Sequence, residues 1–294
     1  MKPLAIKPLS EHHLKMTQNT VNTAGELKNM AGQLLGDRYE IIGELGKQAG
    51  RQTVLARDVT TNLQVVIKLL FLDDELDPED LKLFGREVKT LQSIDHPCIP
   101  KFLEYFEEIL PASRAIALVQ TYVPGKSFQQ IIDRGRTFTE AEVKQMSIIL
   151  LKILSHLHSQ DPPILHRDLK PSSIVLGSDR RPYLVDFGSV KTLKSMESVN
   201  FTMVGTYGYM PPEQFSGRTV LASDLYSLGM TLIAMLTGKS PTDLPRQNGH
   251  YDLSSSGELS SSFVEWLRSI TETNLMRRVK SVDEALRLLK AIDR

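Results

Sequence analysis

The segment His166-Arg167-Asp168-Leu169-Lys170-Pro171, followed by Asp186-Phe187-Gly188, decides how this chain folds. A short apolar run, Ile174 to Leu176, follows the first motif, and another, Tyr183 to Val185, precedes the second. Two such runs joined by turn-forming residues read as a β-hairpin. A hairpin sets the chain entering it beside the chain leaving it, so Asp168 and Asp186 are expected at one edge of one cleft. Two carboxylates there suit an acid/base group and a metal ligand. Two solvated surface loops would explain either aspartate singly, but not the whole string.

Upstream, Val65-Val66-Ile67-Lys68-Leu69-Leu70 is a strand apolar on both faces. A lysine there is costly to desolvate unless its ammonium meets an anion; at a sheet edge it would snorkel instead. Glu87 tips the balance. It shares a helical stripe with Phe84 and Leu91 in the segment Pro78 to Ser93, which sets a carboxylate on the buried face of that helix. Two opposite charges on inward faces of one small lobe imply a buried pair.

The same lobe carries strand patterns at Tyr39 to Glu44, Thr53 to Arg57, Gln64 to Phe71, Lys101 to Phe106 and Ala115 to Tyr122. After Gly125 the chain turns mostly helical, with helices expected at Glu140 to His158, Ala222 to Thr237, Ser260 to Thr273 and Ser281 to Ile292. Residues 1–35 are polar and without sustained period, and read as a poorly ordered extension with a short helix near Gly25 to Leu35.

Composition excludes little and agrees with a globular domain: 41% hydrophobic and 24% charged residues. Basic and acidic residues balance at 35 each, so charge gives no argument for a nucleic-acid or acidic-membrane partner. One cysteine, Cys98, forms no internal disulfide or multi-cysteine metal site. The most apolar stretches, Met146 to Leu157 and Tyr226 to Leu236, are too short to span a bilayer. The N-terminus has no long apolar run, so no secretory signal is expected, and the expected location is cytoplasmic.

In the order strand lysine, helix glutamate, catalytic loop, metal loop and Pro211-Pro212-Glu213, the sequence resembles the eukaryotic-type (Hanks-type) protein kinases, above all the bacterial serine/threonine kinases. The resemblance covers Tyr39 to about Ile292. It implies a two-lobed α+β fold over residues 36–294: a small, mainly antiparallel, five-stranded lobe with one helix at 36–122 and a larger, mainly helical lobe at 123–294. It implies ATP and Mg²⁺ (or Mn²⁺) as cofactors and protein serine or threonine hydroxyls as substrates. Lys68, oriented by Glu87, would hold the α- and β-phosphates. Asp168 would accept or orient the proton of the attacking hydroxyl, Lys170 would stand near the γ-phosphate and Asp186 would bind the metal. Leu45, Gly46, Gln120 and Val123 would border the nucleotide, with Gln120 guarding the back of the adenine pocket. Gly205-Thr206 would receive the residue after the target hydroxyl. Glu213 would pair with Arg278, Asp224 would anchor the catalytic loop, and Leu91, His166 and Phe187 would couple the lobes.

Two departures from the family pattern stand out. The phosphate-covering segment reads Gly46-Lys47-Gln48-Ala49-Gly50-Arg51-Gln52-Thr53, with Gln48 and Arg51 where the family has glycine. Glycine lets backbone amides approach phosphate. Side chains there either hold the hairpin further off or, in Arg51, add a phosphate contact. Ser173 stands where the family places an asparagine that binds a second Mg²⁺. Its hydroxyl either serves as a shorter metal ligand or supports the loop. These departures keep a pseudokinase, a nucleotide-binding or scaffolding regulator, as the competing expectation, ahead of a kinase acting on small molecules.

Overall fold

The computed structural model of the chain describes residues 31–73, 76–110, 113–192, 205–247, 250–253 and 256–292. Its smaller lobe is one antiparallel sheet of β1 (Leu34–Leu35), β2 (Tyr39–Gln48), β3 (Arg51–Asp58), β4 (Gln64–Phe71), β5 (Phe102–Ile109) and β6 (Arg114–Thr121). The strand order is β1-β2-β3-β4-β6-β5. Helix α1 (Pro78–Ser93) lies between β4 and β5 in sequence. Alternate residues of β4 and β6 face two cores. Val65, Ile67, Leu69, Ala115, Ala117 and Val119 fill one within the sheet. Leu70, Ile116 and Leu118 pack on the other with Phe84, Val88 and Leu91 of α1.

The sheet has six strands where five were expected, because Leu34 and Leu35 pair with Glu40 and Tyr39. Leu35 is 1% exposed and plugs the sheet's own core. Gly36 and Asp37 turn the chain with positive φ, so this segment is a small hairpin and not the end of a helix. The rest of the expected helix from Gly25 lies outside the described residues.

Helix α1 starts where its sequence dictates. Asp77 caps it by accepting the Glu79 N–H, Pro78 opens the first turn, and Glu79 and Asp80 complement the helix dipole. Beyond β6 come β7 (Gly125–Ser127), α2 (Phe128–Ile132), α3 (Glu140–His158), β8 (Ile164–Leu165), β9 (Ile174–Gly177), β10 (Pro182–Leu184) and β11 (Lys191–Thr192). Then follow α4 (Pro212–Phe215), α5 (Leu221–Thr237), β12 (Arg246–Gln247), β13 (His250–Tyr251), α6 (Ser261–Ile270) and α7 (Val282–Ala291). Thr139 and Glu142 form a reciprocal cap on α3. Helix α5 is buried along almost its whole length, as its apolar sequence requires.

The expected hairpin forms. Strands β9 and β10 are antiparallel, with Ile174 opposite Leu184. The Val185 N–H donates to the Ser173 carbonyl at 2.9 Å, which ties the segment after Asp168 to the segment before Asp186.

Candidate active site

The centre of β4 delivers Lys68 to the cleft. Its ammonium bonds to Glu87 of α1 and, at 3.0 Å, to Asp186 Oδ1. The Glu87 side chain is 2% exposed. Burial alone would push the Lys68 ammonium toward losing its proton, but Asp186 and Glu87 outweigh it and hold its pKa above the usual lysine value. The Lys68 charge, against the opposing effect of burial, keeps the Asp186 carboxyl far below the usual range. Lys68 and Asp186 are therefore both ionised at neutral pH. The backbone of Gly188 passes beside both carboxylates: a Cβ there would meet Asp186 Oδ1 at 3.4 Å and Glu87 Oε2 at 3.5 Å, which are ordinary contact distances.

Asp224 shapes the second group from beneath. It is fully buried on α5 and accepts the backbone N–H groups of His166 and Arg167 at 2.9 Å each. His158 Nε2 lies 2.9 Å from the same carboxylate. Those bonds hold Arg167 in a left-handed conformation, φ 69°, a backbone state that costs a non-glycine residue about 1–3 kcal/mol. Asp168, next in sequence, then meets two partners. Lys170 Nζ donates to Asp168 Oδ2 and to Thr206 Oγ1, both at 2.7 Å, and Thr206 donates to Asp168 Oδ1 at 2.7 Å. The Thr206–Asp168 bond is the feature sequence reasoning missed. Thr206 was read as part of a receiving segment and as one hydroxyl of a control segment, and nothing in the spacing pairs residues 38 positions apart.

The spine between the groups is apolar. The His166 and Phe187 rings meet edge-on at 5.4 Å, and Phe187 and Leu91 belong to one buried cluster that runs from α1 into the larger lobe. Glu213 and Arg278 pair at 2.6 Å behind α4.

The cleft thus joins a lysine held by two carboxylates to an aspartate–lysine–threonine triad across an apolar spine. The protein kinase domain family matches residues 39–292. The chain belongs to the protein kinase family. Its relatives place it with the Hanks-type serine/threonine kinases of bacteria. It is 37% identical over 276 residues to serine/threonine-protein kinase B of Synechocystis sp., covering 87% of this chain and 47% of that protein. It is 35% identical to serine/threonine-protein kinase D of the same organism, covering 87% and 52%. It is 36% identical to serine/threonine-protein kinase PknA of Nostoc sp., covering 72% and 39%. The chain spans about half the length of the curated relatives it matches most broadly.

Within this kinase fold the two departures take definite forms. The phosphate-covering segment is a regular hairpin, paired out to Gln48 opposite Arg51, and it turns on Ala49-Gly50. Gly50 has φ 66°, which glycine adopts freely. Leu45 is exposed at a bulge between Glu44 and Gly46. The Arg51 guanidinium is engaged by Asp80 of α1 at 2.6 Å. Ser173 is buried, and its Oγ accepts the Lys170 N–H at 3.1 Å and donates to the Lys170 carbonyl at 2.8 Å. This geometry favours loop support, and it leaves one lone pair on the hydroxyl. Gln120 is 2% exposed, with its Oε1 unpartnered. It shares the face of β6 that carries Ile116 and Leu118, at the entrance to the lobe connector. Val123, in that connector, is half-buried.

Proposed function

We propose that this chain transfers the γ-phosphate of ATP to serine or threonine hydroxyls of cytoplasmic proteins. The observation that carries the reading is the Asp168–Lys170–Thr206 triad, assembled beside the Lys68–Glu87–Asp186 cluster. Lys68, fixed in the charged state, would hold the α- and β-phosphates. Asp168 would orient the attacking hydroxyl and take its proton. Lys170, with an ammonium shared between Asp168 and Thr206, would stabilise the charge on the transferring group. Among the described residues no cluster of three or more histidine, cysteine or acidic side chains is placed to hold a metal. That fits Mg²⁺, which is commonly held by one or two carboxylates together with substrate phosphates. Asp186 would supply the carboxylate, and Ser173 a hydroxyl, directly or through water. The chemistry such an ion would supply there is positive charge against the phosphates. Among the described residues no helix is long and apolar enough to cross a membrane.

The direct test is transfer of radiolabelled phosphate from ATP to the chain itself and to several protein substrates. Transfer no greater than that of the Asp168→Asn variant would sink the reading in favour of a pseudokinase.

Ser173 carries a separate prediction. A hydroxyl is a shorter and weaker ligand for a hard cation than an asparagine carbonyl, and here it is already engaged by the loop. Activity should therefore need high Mg²⁺, with Mn²⁺ serving better. Ser173→Asn should raise the rate most at limiting Mg²⁺ and least at saturation. Identical Mg²⁺ titrations for the two proteins would assign Ser173 to the loop alone.

The segment between Gly188 and Pro211 is proposed as the control point, with Thr202 the first choice for phosphorylation. Of its hydroxyls, Thr192 ends β11, and Ser195, Ser198 and Thr202 lie outside the described residues. Thr206, a further hydroxyl of the segment, is already engaged by Asp168 and Lys170. Support comes from a basic cluster. Arg167 is buried with its Nε unpartnered, and its pKa is lowered first by burial and then by Arg86. Lys191 is lowered by burial and by the same two arginines. Glu79 offsets part of this charge through its pair with Arg86 at 3.6 Å, and a phosphate beside Arg167 and Lys191 would supply further counter-charge. Mass spectrometry of active protein should find the phosphate at Thr202, and a segment wholly unmodified would remove the proposal.

A further inference from the structure

Arg51 occupies a position where the family pattern has glycine, and the structure gives it neighbours a glycine could not have. It opens β3, opposite Gln48 on β2 and Leu70 on β4. Its Nη2 donates to Asp80 Oδ1 at 2.6 Å and to the Asp80 carbonyl at 3.3 Å. Asp80 lies in the first turn of α1, seven residues before Glu87. Seven residues are two helical turns, so the two carboxylates share the face of α1 that meets the cleft. The other end of the guanidinium approaches the metal-binding loop. A Cβ on Gly188 would lie 3.9 Å from Arg51 Nη1, at the point that also stands 3.5 Å from Glu87 Oε2.

The apolar anchors of α1 begin at Leu83 and Phe84 and continue through Val88 and Leu91. In its first turn Leu81 packs on that core only partly buried, which leaves room for a polar contact to steady that end. The double contact from Arg51 supplies it, and one strut then connects the phosphate-covering hairpin to the helix that carries Glu87. We propose that Arg51 is a positioning residue that clamps the β2–β3 hairpin to the first turn of α1 and so holds Glu87 on Lys68. The inference rests on the kinase reading for its consequence and on geometry for its substance. Engaged in this way, the Arg51 guanidinium is a strut between protein groups and not a phosphate ligand.

The test compares wild type with Arg51→Ala, Asp80→Ala, the double variant, and the exchanged pair Arg51→Asp with Asp80→Arg. Two readouts are taken: amide hydrogen exchange across residues 78–93 in nucleotide-free protein, and kcat and KM for Mg·ATP. Each single variant should speed exchange and lower kcat about three- to five-fold, the range of a partly exposed ion pair, with KM for ATP within about two-fold. The double variant should be no worse than either single one, as expected of one shared interaction, and the exchanged pair should recover most of the loss. Unchanged exchange in Arg51→Ala, additive losses in the double variant, or no recovery in the exchanged pair would overturn the clamp. A raised KM for ATP with unchanged exchange would assign Arg51 to the phosphates instead. Exchange needs no catalysis, so a chain that transferred no phosphate would defeat the kinase reading and still leave the clamp measured.

Discussion

Asp168→Asn should lower phosphate transfer about 1,000-fold, within the range that a positioned acid/base group contributes, with little loss of stability. The Lys170 and Thr206 bonds fall on separate carboxylate oxygens, each at 2.7 Å in the wild type; the asparagine keeps an acceptor for one of them only, and it cannot take a proton from the substrate hydroxyl. Lys68→Met should abolish transfer as completely by a different route, since misplacing the phosphates by about 1 Å already costs about 100-fold. The second variant is the less clean of the two. It removes the counter-charge from Glu87, whose side chain is 2% exposed, so the buried carboxylate must protonate or find water. A fall in thermal midpoint should accompany Lys68→Met and not Asp168→Asn. Radiolabel transfer and thermal unfolding on the same preparations separate the two effects. Asp168→Asn protein that keeps more than about a tenth of wild-type transfer would remove the general-base role.

Much of this cleft was legible because its residues violate local expectation. Lys68 stands in an apolar strand, and Glu87 stands in the apolar stripe of a helix. Each needed a partner, and each supplied the other's. The bounds of β4, α1 and α3 were equally legible from their apolar patterns, and the structure adds the caps at Asp77 and Thr139 that start the two helices. Elements of a few residues escaped for want of period: β1, β7 and α2 are two, three and five residues long. Contacts made only by tertiary folding escaped as well. The Thr206–Asp168 bond and the Arg51–Asp80 pair join segments whose separate sequences carry no sign of each other. The reading of Arg51 left open whether its side chain holds the hairpin further off or adds a phosphate contact, because the sequence does not show where a long cation in that segment points. Only the position of Asp80 on α1 distinguishes them. Ser173 was ambiguous for the converse reason: a hydroxyl is a donor and an acceptor, and its loop uses both.

Glu213→Ala should destabilise the fold by about 3–5 kcal/mol, the cost of stripping one partner from a buried ion pair. Arg278 is fully buried, with a side-chain exposure of 0%, and its guanidinium is saturated. It donates to Glu213 Oε1 and Oε2 at 2.6 and 3.0 Å, to the Ala222 carbonyl at 3.1 Å, to the Glu272 carbonyl at 2.6 Å and to the Thr273 carbonyl at 3.4 Å. Its face covers the Tyr226 ring at 5.0 Å. A guanidinium cannot neutralise itself by losing a proton, so without Glu213 the charge stays buried and two of its five bonds are gone. The midpoint of thermal unfolding should fall by about 10 °C, at roughly 2–4 °C per kcal/mol for a domain of this size. Replacing both partners, Glu213→Leu with Arg278→Met, should recover much of the loss, because two apolar side chains leave no orphaned charge. Activity should not recover with stability. Glu213 also accepts the Ser223 hydroxyl at 2.7 Å, one residue before Asp224, and its neighbour Gln214 donates to the Arg167 carbonyl at 2.8 Å. The pair therefore braces, from behind, the two groups that hold the catalytic loop in its left-handed turn. A double variant with wild-type stability and wild-type rate would show that the loop keeps its shape without that brace. A stable double variant with a several-fold lower kcat would show that the buried charges are retained for the loop they position and not for the stability they add.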